Sequence, residues 1–341
     1  MNIHHLLSLI KPRIVALLCL TGLFSLFGAG GSSITVSSGF LIAGALIAGS
    51  AAALNCWYDQ DLDAIMERTQ DRPLATGELP SRIGFFVGIC LFLIGSVIGL
   101  VLLPMVTVIF MWLGAVAYLG VYTIGLKRRH WLGVVLGGSA GSFPVLAGWA
   151  TVQPISLPAI LMALLVFAWT PAHAWALAIV YRDDFERGDI PTYPVVSSRV
   201  ETRDAILLSV CSTVAIAILA ATFVNPVGQI ALVIGTIGYV FGYREYLMHM
   251  TKSSAVRAFF TSNVFLALVF IGWGIGGLVA NTLGILPWGM GIFIALSFYL
   301  VWRSQPELRG IPATNDTLIA SIVERLDNSY LYRYLSRTRS G

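Results

Sequence analysis

The stretch IGFFVGICLFLIGSVIGLVLL, residues 83–103, decides the fold because it holds no charged side chain over its whole length. A helix of about 20 apolar residues crosses the hydrocarbon core of a bilayer. Nine further stretches of similar length and character occur along the 341 residues. The predicted spans are approximately 13–30, 35–57, 83–103, 105–125, 132–151, 156–181, 204–224, 227–247, 258–280 and 282–301. We therefore predict an all-α fold, a polytopic transmembrane helical bundle.

The composition supports a single membrane domain rather than several soluble ones. Hydrophobic residues make up 57% of the chain and charged residues only 11%, whereas soluble domains average about 25% charged residues. The four cysteines lie in or beside apolar runs and form no C-x-x-C pair, so we expect neither disulfides nor a zinc site. The first apolar stretch lacks a small-residue cleavage site, which favours a retained helix over a signal peptide. We expect residues 1–302 to form the transmembrane domain and 303–341 a polar cytoplasmic tail.

The basic residues predict the orientation. All 21 lysines and arginines lie at the N-terminus, in alternate loops and in the tail, which places them on one side of the predicted bundle. Such residues collect on the cytoplasmic side of multi-pass proteins. We therefore expect both termini and these loops to face the cytoplasm from the cell membrane. The net charge of +4 then reflects topology in a lipid bilayer, and we expect no nucleic-acid partner.

The first acidic motif, NCWYDQDLDAIMERTQDRP at residues 55–73, begins where the second predicted span ends. Asn55, Asp59 and Asp63 are spaced i, i+4 and i+8, which stacks them on one helix face. Oxygen-bearing side chains aligned in this way need a cation between them. Mg²⁺ prefers oxygen ligands and is commonly shared with substrate phosphates. The motif therefore predicts a Mg²⁺–diphosphate site, although a solvated helix end is the plainer alternative.

Basic residues near this motif are candidates for phosphate contacts. Arg68 and Arg72 follow the acidic face directly, and a guanidinium group can bind phosphate oxygens in a forked geometry. The cluster Lys127-Arg128-Arg129 either anchors the topology or supplies further phosphate contacts.

A second acidic segment, YRDDFERGDIPTYP at residues 181–194, follows the sixth predicted span. Two acidic helix exits that face one another across a cavity would hold two ions around one diphosphate. An ordinary solvated loop is the alternative. His173 lies inside the sixth span, where an ionisable residue indicates a functional site unless it is simply packed and bonded to a neighbouring helix.

The wording of these motifs resembles the UbiA superfamily of membrane prenyltransferases. The resemblance rests on Asn55-x-x-x-Asp59-x-x-x-Asp63 running into Met-Glu-Arg-Thr at 66–69 and Arg-Pro-Leu at 72–74. Further matching stretches include Lys-Pro-Arg at 11–13 and Trp-Thr-Pro-x-His at 169–173, and the match runs from about residue 8 to about 280. The Met-Glu-Arg-Thr extension and the Pro-x-His segment most resemble the branch that farnesylates heme b.

This resemblance implies a nine-helix core, a farnesyl diphosphate donor, a heme b acceptor and two Mg²⁺ ions. It implies that the predicted span 282–301 is an addition, and that a heme a synthase or a terminal oxidase is an assembly partner. The implied roles are as follows: Asn55, Asp59 and Asp63 hold one ion, Asp184 with Asp183 or Asp189 holds the second, Arg68, Arg72, Lys127 and Arg128 grip phosphate, and His173 positions heme.

Two departures from the family wording leave other functions open. The family usually reads Pro-Pro-His-Phe-Trp and Ile-Pro-Met-Leu-Pro, whereas this chain reads Pro-Ala-His-Ala-Trp at 171–175 and Ile-Pro-Thr-Tyr-Pro at 190–194. A related enzyme that prenylates an aromatic, quinone or chlorophyll-type acceptor is therefore an alternative. A transporter with an intramembrane polar site is a second one, although the inverted repeats expected of many transporters are not clear in the sequence.

Overall fold

A computed structural model describes residues 3–282, and every regular element in that range is a helix. The helices are α1 Ile3–Leu9, α2 Pro12–Gly28, α3 Ile34–Tyr58, α4 Gln60–Ile65, α5 Ser81–Leu102, α6 Met105–Val116, a π-helical segment Ala117–Leu126, α7 Leu132–Gly137, α8 Ser139–Ala150, α9 Leu157–Val180, α10 Arg182–Arg187, α11 Tyr193–Val196, α12 Arg199–Ala221, α13 Pro226–His249 and α14 Lys252–Thr282. The predicted tenth span and the predicted tail lie outside the described residues.

The helices confirm the predicted membrane fold. Within residues 3–282, eight helical segments are long and apolar enough to cross a bilayer, and α2 is a shorter apolar helix of 17 residues. Their bounds follow the first nine predicted spans closely. The largest shift is at α14, which begins at Lys252 rather than 258; α12 likewise begins early, at Arg199, because Ser198 and Glu201 form a capping box before the apolar run.

The third span shows the arrangement expected of a helix in lipid. The buried positions of α5 are small residues, including Gly88, Gly95 and Gly99, and this face packs against α3. Large side chains such as Phe86 and Val101 point outwards and are 61% and 75% exposed. Small residues at helix interfaces allow the backbones to approach closely where the surrounding solvent is itself apolar.

The other spans close the bundle through pairs of neighbouring helices. α13 packs on α14, α9 on α12, and α2 on α8, while α14 also contacts α2 and α9. The backbones of α2 and α8 approach so closely that a Cβ at Gly148 would overlap the carbonyl oxygen of Gly22. Trp149 and Trp273 stack nearby with ring centroids 5.5 Å apart.

The two polar segments predicted to carry function meet at one end of the bundle. Leu62 and Met66, from α4 and its C-cap, form a small buried cluster with Ile190, and Phe185 packs against it. The short helix α1 covers the neighbouring region, where Leu9 packs with residues of α3 and of the 59–80 loop. This apolar packing fixes the relative position of the two acidic segments.

Candidate active site

The acidic row on α3 and α4 points into the protein rather than into solvent. Asn55, Asp59 and Asp63 are only 3%, 0% and 4% exposed. α3 ends at Tyr58, yet the backbone hydrogen bonds from Asp59 to Asn55 (2.9 Å) and from Asp63 to Asp59 (2.7 Å) keep the i, i+4 spacing across the break between the helices. All three polar side chains therefore lie on the inner side of this corner.

Asp59 is the most enclosed of the three and is bound by two cations. Lys127 Nζ donates to its Oδ2 at 2.5 Å, and Arg128 NH2 donates to its Oδ1 at 3.2 Å. The side-chain amide of Asn55 donates a third hydrogen bond at 2.7 Å. Burying a carboxylate is costly unless it is paired and hydrogen-bonded, and these three contacts supply that compensation for Asp59.

Asp63 is bound in the same manner by one arginine. Arg72 NH1 contacts both carboxylate oxygens, at 2.9 and 2.7 Å. Thr69 Oγ1 donates to the backbone oxygen of Asp63 at 3.1 Å and closes the intervening turn. Arg72 therefore ties the part of the 59–80 segment that follows α4 back onto the acidic row.

Arg128 also binds Asp61, the acidic residue that points away from this row. Its two NH groups contact the Asp61 oxygens at 2.7 Å each, and the side chain of Asp61 is 64% exposed. This hydrogen bonding lowers the pKa of Asp61 to about 2, and the same pairing raises the pKa of Arg128. Arg128 thus bridges an exposed carboxylate and a buried one.

Lys11 also belongs to the site, although the sequence motifs did not predict a role for it. Its Nζ lies 2.5 Å from Asn55 Oδ1 and 3.5 Å from the hydroxyl of Tyr118. Burial lowers the pKa of its ammonium group. The sequence signal was the Lys-Pro-Arg stretch at 11–13, but its relation to Asn55, 44 residues away, appears only in the folded chain.

Asp184 joins the two acidic segments. Its oxygens accept the backbone N–H groups of Glu67 and Arg68 at 3.0 and 3.1 Å, and Arg187 pairs with both Asp184 and Glu67. These two contacts raise the pKa of Arg187. Asp184 is 4% exposed, and its buried carboxylate holds the backbone of the 59–80 loop in place through these hydrogen bonds.

The other acidic candidates of the second segment lie apart from this cluster. Asp183 is exposed and faces Lys252 at 3.4 Å. Asp189 is exposed in a left-handed backbone conformation, with φ of 50°. The structure therefore brings Asp184 to the first motif but leaves Asp183 and Asp189 on the surface.

Arg68 lies between the two segments with one donor unused. Its guanidinium carbon is 5.2 Å from the ring centre of Tyr181 and 5.8 Å from that of Phe185. Its Nε is buried and has no hydrogen-bond partner among the described residues. An unsatisfied buried donor on a cation is suited to an anionic ligand.

His173 is firmly packed in the middle of α9. Its ring stacks on Trp169 and Phe259, with centroids 4.1 and 4.5 Å apart, and its Nδ1 lies 2.8 Å from Ser262 Oγ of α14. Of the residues that depart from the family wording, Tyr193 packs against Trp175 with centroids 5.3 Å apart. These contacts give His173 and Tyr193 a packing role.

The donor chemistry fits magnesium, although the groups are held by protein cations. Among residues 3–282, no three histidine, cysteine, aspartate or glutamate side chains converge as a ready metal site. The acidic row nevertheless offers buried amide and carboxylate oxygens, the ligand type that Mg²⁺ prefers. Lys11, Lys127 and Arg72 occupy these oxygens, so a bound metal would have to release them to another anion.

The fold and this site define a class of protein: a multi-pass membrane protein whose helical bundle carries, at one end, buried, ion-paired carboxylates and an arginine with an unpaired buried donor. The sequence matches the profile of the UbiA prenyltransferase family over residues 15–264. The chain therefore belongs to the UbiA prenyltransferase family.

Curated relatives share much of the chain. Protoheme IX farnesyltransferase 1 of Paramagnetospirillum magneticum is 35% identical over 279 residues, covering 80% of this chain and 97% of the relative. Protoheme IX farnesyltransferase of Chloroflexus aurantiacus is 36% identical over 234 residues, covering 66% of this chain but only 40% of the relative.

Solved structures share the fold. A digeranylgeranylglyceryl phosphate synthase aligns with a TM-score of 0.68 at 15% identity and covers 81% of this chain and 98% of its own. A UbiA homolog from Archaeoglobus fulgidus bound to GPP and Mg²⁺ aligns with a TM-score of 0.61 at 17% identity and covers 80% and 99%. At these identities the likeness concerns the fold alone.

Proposed function

We propose that the chain is an integral membrane prenyltransferase that transfers the farnesyl group of farnesyl diphosphate to a vinyl group of heme b, giving heme o. The observation that carries this proposal is the buried acidic row, in which each residue contacts a basic group. These basic groups could bind a diphosphate instead. The names of the curated relatives support the farnesyl donor and the heme acceptor.

The basic groups would bind the diphosphate and stabilise it as it leaves. When the C1–O bond of farnesyl diphosphate breaks, the electron pair stays on the diphosphate oxygen and an allylic cation forms. Lys127, Arg72 and Arg68 would meet the charge that develops on the diphosphate, and such electrostatic stabilisation is a large part of catalysis. Mg²⁺, held by Asn55, Asp59 and Asp63 with a second ion at Asp184, would supply further positive charge there.

The interior of the bundle would protect the allylic cation from water. Aromatic rings of α9, including Trp169 and Trp175, are buried and could stabilise a cation through their faces. The π electrons of the heme vinyl group would form the new carbon–carbon bond. Water would then add at the carbon next to the porphyrin ring and release a proton, which completes a hydroxyethylfarnesyl side chain.

The acceptor would be positioned by the packing of α9 rather than by a free histidine. His173 is bonded to Ser262 and stacked on both faces, so it would act by shaping the wall against which heme lies. Asp183 and Asp189 would take part only through a rearrangement of the 181–198 loop, because both are exposed.

The same proposal includes the orientation and the surroundings of the chain. Both termini and the site would face the cytoplasm, residues 1–302 would form the catalytic membrane domain, and a heme a synthase or terminal oxidase would be the assembly partner. The basic residues of the described loops motivate the orientation. A cysteine placed at the exposed Thr76 should react with an impermeant maleimide only in inverted vesicles; reaction in intact cells would contradict it.

The activity test uses the purified full chain in lipid nanodiscs with farnesyl diphosphate, Mg²⁺ and heme b. The expected product is heme o, identified by mass as heme b plus a farnesyl group and a hydroxyl group. Parallel reactions contain aromatic and quinone-precursor acceptors. Prenylation of one of these without heme o would overturn the heme acceptor but keep the prenyltransferase, and no transfer to any acceptor would overturn both.

A further inference from the structure

Lys11 occupies a backbone conformation that lysine rarely adopts. It precedes Pro12 at the corner between α1 and α2, with φ 49° and ψ 62°. Left-handed conformations are unfavourable for residues with a Cβ, and a following proline restricts the residue further. Such residues persist where the surrounding structure holds them, and they cluster at functional sites. The contacts of the lysine side chain show what holds it.

The Lys11 ammonium group is bound inside the site by Asn55 and Tyr118. Its Nζ is 2.5 Å from Asn55 Oδ1 and 3.5 Å from the Tyr118 hydroxyl. Asn55 is buried, and its amide nitrogen is already used by Asp59 Oδ2 at 2.7 Å and Thr123 Oγ1 at 3.1 Å. The side-chain oxygen of Asn55 is therefore the one polar atom of this amide left for another group, and Lys11 takes it.

The chemistry of the partners fixes the direction of the Asn55 amide. An ammonium group only donates hydrogen bonds, and an ionised carboxylate only accepts them. The Asn55 oxygen must then face Lys11, and its nitrogen must face Asp59. This assignment follows from the network itself, which is the proper basis for orienting an amide.

The π-helical segment supplies the remaining wall of this small site. Tyr118 and Thr123 lie five residues apart, and the Thr123 hydroxyl donates to the Tyr118 backbone oxygen at 2.8 Å. In an α-helix, residues at this spacing differ in direction by about 140°. In the wider π turn, Thr123 contacts Asn55 and Tyr118 contacts Lys11, which is consistent with the frequent occurrence of π turns at functional sites.

We propose that Lys11 is a positioning residue that holds the side-chain oxygen of Asn55 in the diphosphate-free protein and yields it to a divalent cation. This inference rests on the proposed function, because it concerns the metal–diphosphate site. Two cations cannot share that oxygen without strong repulsion. A divalent ion that arrives alone must displace the ammonium group, whereas an ion that arrives with a diphosphate also brings oxygens to receive it. Lys11 thus makes metal binding depend on the diphosphate.

The test measures metal binding directly, with Mn²⁺ as the probe. Purified full-length protein is titrated with Mn²⁺ by electron paramagnetic resonance, with and without farnesyl thiolodiphosphate, which does not react. The variants are Lys11→Met and Lys11→Gln, and Arg13→Met is the matched control because Arg13 is exposed and two residues away. Size-exclusion chromatography and circular dichroism verify the fold of each variant.

Without the diphosphate analogue, both Lys11 variants should bind Mn²⁺ about tenfold more tightly, since a like charge has been removed from the site. The gain in Mn²⁺ affinity caused by the analogue should shrink by a similar factor, because coupling between two ligands is reciprocal. The Arg13 variant should match the wild type. Unchanged or weaker Mn²⁺ binding in a folded Lys11 variant would overturn the proposal.

The outcome separates this inference from the proposed function. Wild-type protein that shows the coupling but makes no heme o overturns the heme acceptor and leaves the role of Lys11 intact. Wild-type protein that makes heme o, with Lys11 variants that bind Mn²⁺ like the wild type, overturns the role of Lys11 alone. Wild-type protein that binds no Mn²⁺ in the presence of the analogue overturns both the proposed function and the role of Lys11.

Discussion

Replacing Asp59 with asparagine tests the role of the buried carboxylate, which can be compared with that of its exposed neighbour Asp61. Asp59→Asn removes the negative charge of a side chain that is 1% exposed and leaves Lys127 and Arg128 facing a neutral amide. Breaking a buried ion pair from one side costs about 3–5 kcal/mol. We expect the low end, about 3 kcal/mol, because Arg128 keeps its second carboxylate, Asp61.

Turnover should fall much further than stability. The variant loses an oxygen anion from the predicted metal face, and losing one preorganised electrostatic group at a reacting centre typically costs 10²–10³-fold in rate. We therefore expect heme o formation to drop by about that factor while the protein remains inserted and folded. The assay combines product formation at saturating farnesyl diphosphate with thermal unfolding in detergent.

Asp61→Asn is the matched control. It also removes a carboxylate bound to Arg128, but this carboxylate is 64% exposed, and exposed ion pairs contribute only about 0–1 kcal/mol. Its turnover should remain within a few-fold of the wild type. Equal losses in the Asp59 and Asp61 variants, or an Asp59 variant with near wild-type turnover, would show that the buried Asp59 carboxylate has no special part in turnover.

Three further predictions concern the Arg72–Asp63 pair, the contacts of Asp184 and the effect of low pH on Asp61. Arg72→Met leaves the buried Asp63 unpaired and should lower the unfolding temperature, and adding Asp63→Asn should recover much of that loss. A double variant whose loss equals the sum of the two single losses would contradict the pairing. Asp184→Ala should speed hydrogen exchange at the amide of Glu67, and unchanged exchange would show that Asp184 does not hold this backbone in place. Pairing depresses the pKa of Asp61 to about 2. Its small stabilising contribution should therefore be complete above about pH 4 and fade as the pH falls towards 2. A stability difference between the wild type and Asp61→Asn that grows as the pH falls would disprove this.

Hydropathy predicted the spans because a lipid-crossing helix needs a continuous apolar run. The predicted span at 83–103 agrees with Ser81–Leu102 within two residues. Hydropathy does not carry the hydrogen-bond register, so the π turns at Ala117–Leu126 were not predicted. Nor was the break in the fifth span, where α7 ends at Gly137 and α8 begins at Ser139.

The sequence located the acidic groups but not their partners. The i, i+4, i+8 spacing placed Asn55, Asp59 and Asp63 on one side, as the structure has them. Spacing could not reveal which cation meets which carboxylate, because partners such as Lys127 and Asp59 lie 68 residues apart along the chain. Asp184 was selected for its type, yet its main contacts are backbone N–H groups, and such donors have no sequence signature.

The proposed mechanism requires the buried row beside Lys127 to hold a divalent ion against a diphosphate. Electron–nuclear double resonance of Mn²⁺ bound to the full-length protein with farnesyl thiolodiphosphate tests this contact directly. We expect a ³¹P hyperfine coupling at protein-bound Mn²⁺ that disappears in Asp59→Asn. Mn²⁺ that binds without ³¹P coupling, or coupling that persists unchanged in Asp59→Asn, would show that the row does not hold the ion against the diphosphate.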